Sequence, residues 1–384
     1  MPLQSVVPAT VSDPVNASIL AISEDRLAGF QVDPFGEVAR QSGVPLESVL
    51  ERVIAMLRGG TIRRVRQTLM ATNLAKGALV AWQVAPEKLD AAFEYLYKHD
   101  PFSGHVVIRT ADPATPGSAY RLWTTLKTPQ GYSIEKHAEH LRHRIGADLF
   151  RLMPAKRLFA LGVGHVRRRG IEPGSRADVP AEVMNTNIVE LSELDWRVLN
   201  ALKREFSPEE IVQDLWRSRA AEANVELPLF YEVARSLNER KVIGRFSTFL
   251  EHVKATANNE RVTRYNALFH WALPPGREIE AGQEVGRHHI ITHAYWREGG
   301  PEFRNVNIMA VAHGLDKAVV LEHKAAIDRH LEEAAFPIGY TNVFWGGRSE
   351  IKPSEISPSA FREYCAAEGI DPQTMVDDNG GDLT

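Results

Sequence analysis

Histidine is the chemically conspicuous residue. Of 14 in 384 residues, eight (His252, His270, His288, His289, His293, His313, His323 and His330) fall within one 79-residue window. Imidazole is the side chain whose charge changes near neutral pH, so such a window is where proton chemistry is expected. In THAYWRE, His293, Tyr295 and Arg297 recur with period two and would share one face of a strand. His313 ends a neighbouring hydrophobic run, NVNIMAVAH, that could bring it to the same sheet. The single cysteine, Cys365, removes intrachain disulfides, thiolate zinc sites and four-cysteine iron–sulfur clusters together.

Each histidine also has a plain structural reading. On the residues alone His293 reads rather as a hydrogen-bonded core histidine. His270, beside Trp271, suits core or interface packing as well as ligand contact. His288 and His289 begin a strand and read as solvated rather than metal-bound, and His323 and His330 read as helical surface. His137, His140 and His143 recur every three residues, drift round a helix, and lack the Cys or carboxylate companions of a zinc site. The run from Gly162 to Gly170 lacks the helix-opening glycine spacing of a dinucleotide loop. Its Arg167–Arg169, like Arg63, Arg64 and Arg66, reads as a solvated basic segment.

The elements that must position these groups come from an internal repeat. ALVAWQVAPEKLDAAFEYL (residues 78–96) matches ALFHWALPPGREIEAGQEV (267–285), pairing Trp82 with Trp271 at an offset of 189. His105 with His293 and Arg109 with Arg297 follow at 188, and Arg64 with Arg245 at 181; His137 lies opposite His323. The chain is a tandem duplication of two-part units. In the first part, helical spacing from Val38 to Leu57, a break at Gly43 and a stop at Gly59–Gly60 predict a winged helix-turn-helix. The second copy repeats it with helices over 195–204, 208–215 and 229–238. The second part reads β-α-β-β-α-β, a ferredoxin-like sandwich. The expected class is therefore α+β. Its pieces are a winged helix-turn-helix (20–68), a ferredoxin-like domain (69–169), a linker (170–189), a second winged helix-turn-helix (190–248), a second ferredoxin-like domain (249–348), and an extended C-terminal arm and tail (349–384).

Composition narrows the class of function. Hydrophobic residues at 44% and charged residues at 24% describe a globular chain, and a net charge of −4 argues against a general nucleic-acid coat. Residues 34–66 carry three more bases than acids, yet Glu47 and Glu51 open the would-be recognition helix, where they would repel phosphates. Residues 195–245 balance nine acids with nine bases. Both modules therefore read as dimerisation scaffolds, with DNA not expected as a partner. No basic segment followed by an apolar run opens the chain, and no apolar stretch approaches membrane length, so a cytoplasmic protein without membrane contact is expected.

A winged helix-turn-helix followed by a ferredoxin-like domain resembles the Lrp/AsnC family. ALFHWALPP, THAYWRE and NVNIMAVAHG, with FGEVARQSGVPLESVLERVIAMLRGGTIRRVRQTL in the first copy, are similar to its enzymatic branch. That branch is the sirohaem decarboxylases of haem d1 and alternative haem biosynthesis, including fused two-copy forms. The resemblance implies a carboxy-lyase acting on acetate groups of an iron tetrapyrrole, with sirohaem as substrate and no cofactor or metal required. It implies His293 and His313 as the catalytic histidines, supplying a proton near working pH. Arg245, Arg264, His270, Tyr295, Arg297, His105 and Arg109 are the expected substrate-binding set, with arginine forks suited to carboxylates. Arg287 and Arg304 lie nearby. Lys127–Thr128 stands where copy two has His313–Gly314, so a single working site would belong to the C-terminal copy. Companion subunits and an internal pseudo-dimer able to dimerise again are implied partners. The rival readings are a DNA-binding regulator of the same family and a non-catalytic tetrapyrrole-binding subunit.

Overall fold

The computed structural model describes residues 7–162, 164–184, 187–251 and 261–378; His252 lies outside them. In chain order the first copy runs α1 (Pro14–Ser23), β1 (Leu27–Ala28), α2 (Pro34–Ser42), α3 (Leu46–Arg58) and β2 (Ile62–Leu69). It continues with β3 (Ala75–Gln83), α4 (Leu89–Lys98), β4 (Ser103–Ala111), β5 (Leu122–Pro129), α5 (Ile134–Ile145), β6 (Leu149–Pro154) and β7 (Arg157–Leu161). The second copy has α6 (Glu193–Leu202), α7 (Trp216–Glu222), α8 (Leu227–Glu239) and β8 (Ile243–Leu250). Then come β9 (Tyr265–Ala272), α9 (Glu278–Gly286), β10 (Ile291–Trp296), β11 (Ile308–Gly314), α10 (Lys317–Glu333), β12 (Tyr340–Ile351) and α11 (Pro358–Glu368).

These elements form two compact units. One gathers residues 1–71, 162–169 and 189–264; the other gathers 72–161, 170–188 and 265–384. In the helical unit α2 ends at Gly43 in the left-handed region (φ 73°), the conformation that favours glycine and lets α3 restart three residues on. Val49, Val53 and Met56 form the buried stripe of α3, and Phe230, Val233, Ala234 and Leu237 that of α8. A helix over 208–215 is expected from the sequence, but the structure has a single 3-10 turn there. Ser207 and Glu210 cap that turn reciprocally, Ile211 leaves it extended, and α7 begins only at Trp216. β2 and β8 pair antiparallel, Arg64 opposite Phe249, while the Arg245 amide donates to Thr68 Oγ1. Each three-helix module is thus followed by one strand shared with its duplicate rather than by its own two-stranded wing.

The other unit is one antiparallel sheet in the order β6-β3-β5-β4-β12-β9-β11-β10-β7. Each copy supplies the ferredoxin-type order, β6-β3-β5-β4 and β12-β9-β11-β10. The long fourth strand β12 pairs with β9 and then with β4 of the other copy. β6 and β7 together do the equivalent, pairing with β3 and then with β10. Only two residues separate β6 from β7, which stand at opposite ends of the order, so the sheet curls back on itself.

Alternation sorts the side chains into layers. Val80, Trp82, Val106, Leu122 and Leu126 face the helices of copy one, and Phe269, Trp271, Ile308, Ala310 and Ala312 face those of copy two. The opposite faces meet inside the curl through Ala81, Val107, Trp123, Met153, Leu268, Met309 and Phe344, with Phe303 from the loop before β11. The tail corrects its sequence reading: in place of an extended arm, α11 buries Phe361, Tyr364 and Cys365 in the core of copy one. Ser357 caps its first turn and Gly369 its last, signals that Pro353 and Pro358 obscure. Among the described residues no helix is long and apolar enough to cross a membrane.

Candidate active site

Strand register decides which candidate residues meet. His293 on β10 lies opposite Val311 on β11, and His313 stands two residues beyond Val311. The two histidines therefore share a face of adjacent strands as a diagonal pair, a separation of roughly 7–8 Å between Cα atoms. That face is the interior one, because Val311 packs with Leu268, Met309 and Phe344. Both imidazoles are half-buried. Thr292 fixes one of them: its hydroxyl donates to the Val311 carbonyl at 3.0 Å and lies 3.1 Å from His293 Nδ1.

Tyr295 and Arg297 continue the same face. The rings of His293 and Tyr295 stack at 6.3 Å, and the Arg297 guanidinium lies 4.4 Å from the Tyr295 ring centre. Burial raises the Tyr295 phenol and lowers Arg297, each offset by the other. His270 is 1% exposed among Trp123, Phe303 and Phe344. Burial pushes its pKa down to about 3, helped by Arg109, and its Nε2 has no hydrogen-bond partner. It is therefore neutral at working pH. Arg109 is also interior, donating to Asn266 Oδ1 and the Phe344 carbonyl. His105 lies on the same face of β4, 2.8 Å from Ser349 Oγ.

The remaining candidates do not join this group. Arg245 and Arg264 belong to the helical unit: Arg245 donates to the Glu24 carbonyl, and Arg264 is exposed. Arg287 is spent on the Ala177 carbonyl and Glu284, and Arg304 lies exposed over Tyr340. His288, His323 and His330, expected at the surface, are 2%, 3% and 8% exposed. Helix α10 presses His330 against Glu284 at 2.6 Å and within 5.2 Å of the His288 ring; burial holds His288 down to about 3. The surface reading fails because His323 and His330 lie on the buried stripe of α10 with Val320, Ile327 and Leu331. His137 pairs with fully buried Asp100 at 3.1 Å, and among the described residues no three His, Cys, Asp or Glu side chains are placed to hold a metal ion.

Several arginines of the basic segments are engaged, although Arg167 and Arg169 are exposed. Arg64 pairs with Glu205 at 2.7 Å, Arg66 lies over Phe249, and Arg167 and Arg168 both reach Asp25. Sequence reasoning missed Asn266. It faces His313 across β9 and β11, and copy one has Gly77 at its position, a difference between the repeats that would have flagged it.

Comparison with known proteins gives the fold its context. Residues 74–160 match a family model described as an AsnC-like ligand binding domain. No curated protein matches the chain in sequence. Among solved structures, the siroheme decarboxylase NirDL superposes with a TM-score of 0.63 at 19% identity, covering 92% of this chain and 98% of its own. The same enzyme in complex with an iron-uroporphyrin III analogue gives 0.62 at 18%, covering 92% and 99%. The family match in copy one agrees with the AsnC-like resemblance read from the sequence, and the superposition shows a shared fold.

Proposed function

We propose that the protein is a cytoplasmic sirohaem decarboxylase-like carboxy-lyase that removes acetate carboxyl groups from an iron tetrapyrrole. The observation that carries this is the juxtaposition of His293 and His313 on one interior face, beside buried arginine. The NirDL fold and that enzyme's iron-uroporphyrin complex support the ligand class. In the reaction the bond from the acetate methylene to its carboxyl carbon breaks and carbon dioxide leaves. The electron pair is stored in the macrocycle, and a proton then reaches the methylene carbon. Histidine suits that delivery because its pKa lies near working pH, and arginine suits the carboxylates that stay. No added cofactor is required, since the tetrapyrrole is itself the electron store. The duplicated sheet acts as an internal pseudo-dimer, to which companion subunits of the same family could add.

Anaerobic incubation with sirohaem, followed by product mass, tests the proposal. Loss of carbon dioxide from the wild type and its abolition in His293→Ala and His313→Ala are expected. Full activity in both variants overturns the assignment. Binding without mass loss would make the protein a tetrapyrrole carrier. A salt-sensitive shift of a promoter fragment alone would make it a regulator.

A further inference from the structure

Two arginines lie where an unpaired charge is not expected. Arg109 and Arg297 are 4% and 8% exposed. Among the described residues neither meets an Asp or Glu: Arg109 bonds Asn266 and the Phe344 carbonyl, and Arg297 the Met153 carbonyl and Tyr295. Charged side chains are almost never buried without a partner, since desolvation costs several kcal/mol per ion. Arg109 Nη1 makes its bonds at 3.2 and 3.3 Å, while its buried Nε has no acceptor. A planar guanidinium with spare donors and no protein counter-ion suits an anion that arrives with a ligand.

Register shows which site each arginine serves. Asn266 stands directly opposite His313. Phe344 begins the cross-strand row Phe344–Leu268–Val311–His293. Both acceptors of Arg109 therefore belong to the His293–His313 end, although Arg109 comes from the N-terminal copy. Arg297 shares a chain segment with His293 but lies four residues on, roughly 13 Å along the strand direction. Its acceptor, Met153, begins the row Met153–Leu79–Thr125–His105. Met153 and Phe344 are equivalent in the two copies, opposite Leu79 and Leu268, so the exchange is reciprocal.

We propose that the His293–His313 site is composite. Its carboxylate clamp is Arg109 of the N-terminal copy, positioned by Asn266, whereas Arg297 serves the opposite end beside His105. The assignment rests on the proposed function for its ligand, an anionic tetrapyrrole.

Absorbance titration with iron uroporphyrin tests it, with anaerobic sirohaem turnover measured in parallel and melting curves confirming that each variant is folded. Arg109→Met is expected to raise Kd at least tenfold, and Arg297→Met at least five times less. Asn266 supplies a readout that a merely structural role would not move. Asn266→Asp places a carboxylate on Arg109 and competes with the ligand, so it should weaken binding at least threefold more than Asn266→Ala. An equal or larger effect of Arg297→Met overturns the composite site, as does Asp at 266 binding as tightly as Ala. If the wild type binds the probe without releasing carbon dioxide from sirohaem, the reaction fails, but the order of Kd values still decides the clamp. If the wild type does not bind the probe, the clamp fails too.

Discussion

The two ferredoxin-like copies share a strand order and differ in the side chains of their inner faces. Facing their helices both keep a buried tryptophan, Trp82 and Trp271, at the same place in β3 and β9. Facing the interior, Gly77, Ala81, Val107 and Lys127 of copy one stand where copy two has Asn266, His270, Tyr295 and His313. The helix-facing set is constrained by packing, where lost volume costs several kcal/mol. The inner faces are packed as well, around Trp123, Met309 and Phe344, yet carry different polar side chains in the two copies. On the proposed function, duplication kept a common scaffold while the two inner faces came to carry different side chains.

The largest expected effect breaks or upholds this contrast directly. Replacing His313 by alanine should lower sirohaem turnover by about 10²-fold or more, the usual contribution of a positioned acid. His105→Ala, at the equivalent of His293, should cost much less; equal losses would make the copies functionally alike. Stability provides a second contrast, because α11 covers only copy one. Phe361→Ala removes a fully buried ring from that core and should destabilise by about 3–5 kcal/mol in urea denaturation. A loss below 1 kcal/mol would mean that the tail is not part of the copy-one core.

Two buried histidines of copy two should contribute to acid sensitivity. Burial keeps His270 and His288 neutral in the folded chain, each down to about 3, whereas the unfolded chain protonates them below about 6.5. The unfolded state thus binds more protons in that window. Stability from these groups is intact above pH 6.5 and falls as pH drops toward 3, by about 1.4 kcal/mol per pH unit and group. His270→Phe should remove one group's share of the slope, read from urea midpoints between pH 6 and 4. An unchanged slope would show that this histidine does not control acid stability. The smallest expected effect is that of Lys127→His, which restores the second histidine to copy one. Turnover should rise less than twofold, because Gly77 and Val107 still replace Asn266 and Tyr295. A doubling would show that one residue separates the copies.

Much of this was legible in the residues. Trp82 and Trp271, His105 and His293 exposed the duplication, and alternation put His293, Tyr295 and Arg297 on one face. The helix expected over 208–215 from the parallel with copy one is a single capped turn, and α7 begins only at Trp216. Arg245 and Arg264 look like neighbours of the copy-two motifs in sequence, yet they sit in a different unit. His323 and His330 read as surface from the sequence because a polar side chain carries no sign of whether its helix face is buried.

The sequence by itself determined the repeat, the β-α-β-β-α-β order of each second part and the shared face of His293, Tyr295 and Arg297, since periodicity and spacing are local properties of the chain. Only the tertiary structure decided that β12 crosses from one copy to the other, and that Arg109 reaches Asn266 across it. Strand pairing at long range is chosen by closure of the whole sheet, and no local pattern records it.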